Sequence, residues 1–181
     1  MKLIAGVDEV GRGCLAGPVI AAAVIFKNKI SGLKDSKKLS MKKRQELSLI
    51  IMENSHFSFG SASVKEIDTI NILQASLLAM KRAILNLSIK PEKILVDGVH
   101  KPDLDIDTQA IIRGDSFIDE ISAASIIAKV YRDNLMLQFD KKYPNFYFSS
   151  HKGYGTKQHK AAINKYGITP VHRKTFKHVT N

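Results

Sequence analysis

An apolar run near the start of this chain ends on two acids and passes at once into a glycine turn: Gly6-Val7-Asp8-Glu9-Val10-Gly11-Arg12-Gly13. No other stretch restricts the fold as much. Leu3 to Val7 reads as a short buried strand. Carboxylates at its end are therefore carried from a core to a rim. Glycines directly after them let backbone approach a ligand closely. Hard oxygen donors beside an arginine point to metal-assisted work on a phosphate.

The rest of the chain supplies an α/β frame for that strand. Val19 to Phe26 is a second strand, and His56 to Val64 alternates as a third, with Phe57, Phe59 and Ser61 on one face. Ser40 can cap a helix with Leu47, Ile50 and Ile51 on one side. Leu73, Leu77, Met80, Ile84 and Leu87 recur at helical steps behind Asn71 as cap. Lys93 to Val96 is a compact strand ending at Asp97-Gly98, and Gln109 to Ile112 another ending near Gly114-Asp115. Ile121, Ala124, Ala128, Tyr131, Leu135 and Phe139 mark the longest helix, whose start Ser116 and Asp119 are placed to cap. A last helix runs from Thr156 to Gly167. Three strands, then helix, strand, strand and helix predict an α/β sandwich on one mixed sheet, in a single domain covering residues 1–181.

Four acids share one kind of position. Asp8 and Asp97 each end a short buried strand, the place where open α/β sheets build their sites. On neighbouring strands they would stand about 5 Å apart, close enough to share metals at the roughly 4 Å spacing of two-metal phosphoryl chemistry. Asp115, between a strand and the longest helix, can close the group from one side. Glu9 joins only if the strand has ended or twisted there, because consecutive strand residues point to opposite faces. Crowded carboxylates repel and raise one another's pKa; all-oxygen donors select Mg²⁺ or Mn²⁺ over zinc. Taken alone, Asp97-Gly98 also reads as a turn.

The charge balance is +11, with 28 Lys and Arg against 17 Asp and Glu among 181 residues, which suits a polyanionic partner. Lys34, Lys37 and Lys38, followed by Lys42, Lys43 and Arg44, read either as a phosphate-contacting patch or as solvated surface. Tyr154 sits between glycines on the basic stretch His151–Thr156, where it can present its ring to a sugar or base or pack within the loop. His172-Arg173-Lys174 adds positive charge. The one cysteine, Cys14, excludes an internal disulfide and reads as a small core residue. No long uncharged apolar run or secretory leader is seen, so a membrane span is not expected and the cytoplasm is. Gly11 to Gly17 has a superficial likeness to a dinucleotide fingerprint, but that motif needs a helix to follow, and here Pro18 and a β-rich run do.

Several stretches together give a family resemblance. They are Asp8–Gly13 with Leu15-Ala16-Gly17-Pro18, Asp35-Ser36-Lys37-Lys38-Leu39-Ser40, Asn71–Ala75, Leu95-Val96-Asp97-Gly98, Gly114-Asp115-Ser116 with Ile121–Ser125, His151–Thr156, and the His172-Arg173-Lys174 region. In this content and order the chain resembles ribonuclease HII, the type 2 ribonuclease H family, from end to end. The resemblance implies a ribonuclease H-like fold, a mixed five-stranded sheet flanked by helices. It implies Asp8, Glu9, Asp97 and Asp115 as a catalytic quartet holding two Mn²⁺ or Mg²⁺ ions. Gly11, Arg12 and Gly13 would sense the ribose 2′-hydroxyl and its phosphate, Lys37 and Lys38 would meet the backbone, and Tyr154 would stack on the following deoxyribose. The implied enzyme is a monomeric endonuclease acting on RNA–DNA hybrids and on ribonucleotides embedded in duplex DNA. The competing expectation is a non-catalytic nucleic-acid-binding module on the same scaffold. A related type 3 family carries an added N-terminal platform, which the immediate start of the first strand disfavours.

Overall fold

The computed structural model describes residues 3–33 and 40–180. Five strands form one sheet in the order β3-β2-β1-β4-β5: β1 Ile4–Val10, β2 Val19–Phe26, β3 Ser55–Ala62, β4 Lys93–Asp97 and β5 Asp107–Ile111. β1, β2 and β3 pair antiparallel, whereas β4 and β5 continue parallel to β1. Helices α1 Met41–Glu53, α2 Val64–Leu85, α3 Asp119–Lys142, α4 Phe148–His151 and α5 Lys157–Tyr166 accompany them. This is the mixed, helix-flanked sheet expected from the sequence.

Strand alternation divides the core. Ala5 and Val7 of β1, Ala21 and Ala23 of β2 and Ile94 and Val96 of β4 pack against Ala75, Ala79 and Ala83 of α2. The other face carries Ala22 and Val24 against Ala123, Ala124 and Ile127 of α3, with Ile51 of α1. A third cluster joins Leu15 and Ala16 to Met136, Phe146, Phe148 and Ile163. That cluster ties the C-terminal segment to the loop after β1.

Small residues make the closest contacts. A Cβ on Gly60 of β3 would lie 2.1 Å from the Ala79 carbonyl oxygen, and one on Gly6 of β1 2.1 Å from the Glu120 carbonyl carbon. The helices therefore approach the sheet through alanine and glycine, while the expected Leu73 and Leu77 are only half-buried. α2 also begins earlier than expected, at Val64, where Ser63 and Glu66 form a reciprocal capping box. Asn71 interrupts it with φ 66° and ψ 167°. Its side chain accepts from the Leu73 and Gln74 amides and so caps the second stretch, the role read from the sequence.

Other boundaries moved. Ile50 is exposed rather than packed. The start of α3 has Ile118 at its cap with no side-chain hydrogen bond, so Ser116 and Asp119 do not cap it. Within α3 the expected Tyr131 is exposed, its ring stacked at 4.5 Å on Phe59. The neighbouring Arg132 is buried instead. Gly11–Pro18 leads into β2 without a helix, which removes the dinucleotide likeness. Among the described residues no helix is long and apolar enough to cross a membrane.

Candidate active site

β1 and β4 are direct parallel neighbours with Val7 opposite Val96. Asp8 and Asp97 are the next residue on each strand, so they stand side by side at the C-terminal edge and share a face. That face is the one under α3: Gly6, two residues before Asp8, touches the start of α3. Asp8 is correspondingly buried, accepts the Glu9 amide at 2.7 Å and hydrogen-bonds Ser125 of α3. Burial pushes its carboxyl well above the usual range, and the charges of Glu9 and Asp97 push the same way. The short turn Gly114–Ser116 after β5 brings the buried Asp115 to the group, with its amide donating to Asp97 Oδ1 at 3.3 Å.

Glu9 follows Asp8 directly on β1. Its strand has not ended, since Val10 still pairs with Ile20. Yet its carboxylate meets Arg12 Nη1 at 3.1 Å and opens on a cleft of about 320 Å³ with Val10, Arg44, Ser125, Ile126, Lys129 and Tyr154. Burial raises the Glu9 carboxyl, Arg12 opposes that rise, and Asp97 adds to it. A larger recess of about 610 Å³, bordered by Leu3, Ile25, Phe26, Leu95 and Phe117, contains none of the four acids.

The four acids thus converge on one edge of the sheet, but they do not close into a ligand set. Among the described residues no group of three or more Asp, Glu, His or Cys is arranged to hold a metal ion. Each of three carboxylates is turned to a local partner: Asp8 to Ser125 and the Glu9 amide, Glu9 to Arg12, and Asp115 to the Ser116 hydroxyl at 3.3 Å. Like charges in a partly buried site favour such dispersal. The donor chemistry, carboxylate oxygen throughout, suits a hard divalent cation. The two raised carboxyls mark a place where added positive charge would be stabilising.

The loop after β1 is held by groups the sequence pattern did not reveal. Arg173 is fully buried and donates from Nε to the Gly17 carbonyl at 2.9 Å, from Nη1 to Arg12 at 2.8 Å and from Nη2 to Gly11 at 2.6 Å. Arg132, also fully buried, donates to the carbonyls of Pro18, Ala16 and Lys152. Gly11 has φ +95°, and a Cβ there would fall 2.2 Å from Arg132 Nε. Glycine is required both by the backbone and by the arginine beneath it. The expectation that His172-Arg173-Lys174 adds surface charge is corrected: His172 and Arg173 are buried, and only Lys174 is exposed. Burial holds the His172 ring down at about 4, hence neutral. No local periodicity identifies such arginines, because all but one of the carbonyls they serve lie more than a hundred positions away, and the exception, Lys152, lies 20 from Arg132.

Tyr154 reaches the same edge. A bridge pairs it with Cys14 and another pairs Ala16 with His172, so the glycine loop, the Tyr154 segment and the C-terminal segment form one knitted patch. The Tyr154 side is exposed at 41%, and Lys129 Nζ lies 5.7 Å from the ring centroid while also bonding Asp133 at 2.8 Å. Arg12 is exposed at the mouth and nothing crowds Gly13. Cys14 is buried, as expected. Lys37 and Lys38 lie outside the described residues, as do Lys34–Leu39 generally; Lys42 and Lys43 are exposed on α1, and Arg44 lines the cleft.

Comparison with known proteins agrees with this architecture. The family model for ribonuclease HII matches residues 5–179. A ribonuclease HII of Coxiella burnetii is 59% identical over 180 residues, spanning 98% of this chain and 89% of that protein. One from Pelagibacter ubique is 54% identical and spans 100% and 99%. The crystal structure of ribonuclease H2 from Pyrococcus horikoshii superposes with a TM-score of 0.81 at 29% identity, over 97% of this chain and 94% of that one.

Proposed function

The chain belongs to the ribonuclease HII family and is an endonuclease of the ribonuclease H type, and from that premise we propose how its residues divide the work. The substrate would be an RNA–DNA hybrid or duplex DNA containing a ribonucleotide. Cleavage would fall on the 5′ side of the ribonucleotide, leaving 5′-phosphate and 3′-hydroxyl ends. The observation that supports this most directly is the adjacency of Asp8 and Asp97 on parallel strands, with the Asp115 amide against Asp97.

Asp8, Glu9, Asp97 and Asp115 would hold two Mn²⁺ or Mg²⁺ ions, which when bound activate a water and offset charge on the departing 3′ oxygen. The protein's own share is positioning. Burial and mutual repulsion leave Asp8 and Glu9 in need of positive charge. Ser125 and the Glu9 amide fix the Asp8 carboxylate in one orientation. Gly11 and Gly13 present backbone that can read a 2′-hydroxyl, the group that separates RNA from DNA. Arg173 holds the carbonyls of Gly11 and Arg12, so the reading surface is set before substrate arrives. Arg12, Lys42, Lys43 and Lys129, with Lys37 and Lys38, would meet phosphates. Tyr154 would offer its ring to the nucleotide after the ribonucleotide. We take the working unit to be a cytoplasmic monomer.

The test is a labelled DNA duplex carrying one ribonucleotide, incubated with and without Mn²⁺ or Mg²⁺. Wild type should nick it once, 5′ of the ribonucleotide, only with the cation. Asp97→Asn should bind the duplex with unchanged affinity and lose cleavage. Retained cleavage in that variant would remove Asp97 from the catalytic group, and binding without nicking in wild type would favour a non-catalytic module.

A further inference from the structure

Three buried histidines lie directly behind Tyr154: His151, His159 and His172. His151 and His159 stack with centroids 4.5 Å apart, and His159 and His172 face each other at 5.2 Å. Phe146 and Phe148 close the sides. Every ring nitrogen has a partner, and the partners dictate where each proton sits. The Thr169 amide donates to His172 Nδ1 at 2.9 Å, so the His172 proton is on Nε2. At the other end His159 Nδ1 lies 2.9 Å from the Tyr154 carbonyl oxygen, which can only accept, so the His159 proton is on Nδ1. Between them, His172 Nε2 donates to the bare His159 Nε2 at 3.1 Å. The Gly153 amide donates to His151 Nδ1, leaving its Nε2 proton for the Phe146 carbonyl.

From this we infer that His159 is a positioning residue for substrate selection: a one-way chain from Thr169 through His172 and His159 ends on the Tyr154 carbonyl and sets the plane of that peptide. An amide cannot accept at one end and a carbonyl cannot donate at the other, so the chain has one polarity and one set of tautomers. It acts together with the Thr156 amide, which donates to the same carbonyl at 2.9 Å, and with the Tyr154 amide bond to the His151 carbonyl and the bridge to Cys14, which hold the preceding peptide. With the peptide plane set, the half-exposed ring of Tyr154 is aimed into the cleft beside Lys129. A second proton on any of these rings would put hydrogen against hydrogen, and burial opposes it: His159 and His172 are held at about 4. This inference rests on the proposed role of Tyr154 in choosing the junction.

Two measurements decide it. Long-range ¹⁵N correlation spectra of the labelled protein at neutral pH should show His159 protonated on Nδ1, and His151 and His172 on Nε2. The opposite tautomer at His159, or a charged ring there, overturns the chain. The second is the ratio of cleavage at a single embedded ribonucleotide to cleavage of a long RNA–DNA hybrid. His159→Asn places an amide where Nδ1 stood and should keep the wild-type ratio. His159→Gln places it at Nε2 and should lower the ratio about tenfold, as should Tyr154→Ala, the factor that one stacking contact of about 1.4 kcal/mol gives. The Tyr154→Ala/His159→Gln double variant should lose no more than Tyr154→Ala. Melting curves confirm that each variant is folded at the assay temperature. If Asn and Gln at position 159 behave alike while Tyr154→Ala loses the ratio, His159 is merely structural and the inference fails. If Tyr154→Ala keeps the ratio, the role given to Tyr154 falls and takes the link to selection with it; the tautomers then judge the chain alone.

Discussion

Replacing Arg173 by lysine would test whether the loop after β1 is held from below. The guanidinium is fully buried and serves three carbonyls, those of Gly11, Arg12 and Gly17, with a planar fork. Burial pushes it down to about 10, so it remains charged at neutral pH and its bonds are charge-assisted. A lysine ammonium is a single point on a flexible stem and can satisfy one of these directions well. Two carbonyls would lose a charged donor, at roughly 1.5–3 kcal/mol each. The expected loss is therefore on the order of 4 kcal/mol, in the range for breaking a buried ionic group. For a chain of this size each kcal/mol moves the melting temperature by about 2–4 °C, so Arg173→Lys should melt roughly 10 °C lower. Calorimetry measures that shift. Arg132 still holds Ala16 and Pro18, so the loop should shift rather than detach. Cleavage measured well below the transition should accordingly show a reduced kcat/KM from misplacement of Gly11 and Arg12. A melting temperature within a few degrees of wild type together with unchanged kcat/KM would refute the bracing argument.

Two further predictions concern packing and protonation. Gly6→Ala should destabilise by about 1–3 kcal/mol in urea unfolding, because the new Cβ meets the backbone of Glu120 and Ile121 at 2.1 and 2.3 Å; an unchanged midpoint would mean that α3 can retreat freely. Acid should act on stability in two opposite senses. His159 and His172, lowered from 6.5 to about 4, give stability that is complete above pH 6.5 and is lost as pH falls toward 4, since the unfolded chain then binds the extra protons. The raised Asp8 carboxyl works the other way, taking up its proton more readily in the folded state as pH falls. Melting temperature against pH should consequently drop more steeply in Asp8→Asn than in wild type over that window; parallel curves would contradict the assignment.

What the sequence by itself determined is what depends on near neighbours. Strand and helix periods, the Ser40 and Asn71 caps, the start of the last helix at Thr156, and the carboxylates at the ends of β1 and β4 all rest on spacings of a few residues, and they appear in the structure close to where they were read. The family resemblance comes from the same local record. Closest approach was harder to read, because alanine and glycine carry little apolar signal yet set how near α2 and α3 lie to the sheet. One position on α3 separates the exposed Tyr131 from the buried Arg132, and only the neighbouring surfaces choose between them. Arg132 and Arg173 are strongly polar in isolation; burying them is tolerable only because carbonyls from distant segments are gathered around each guanidinium. The histidine chain depends on folding at its middle link, the bond between His172 and His159. His151, His159 and His172 are ordinary titratable residues along the chain, and their protons acquire definite places only once Thr169 and Tyr154 are brought to either end. Thr169 and Tyr154 stand only three and five positions from the rings they serve. Yet the His172–His159 bond that joins the two ends spans thirteen and exists only once those segments pack together, because a hydrogen bond's polarity is set by the partner that folding brings to it.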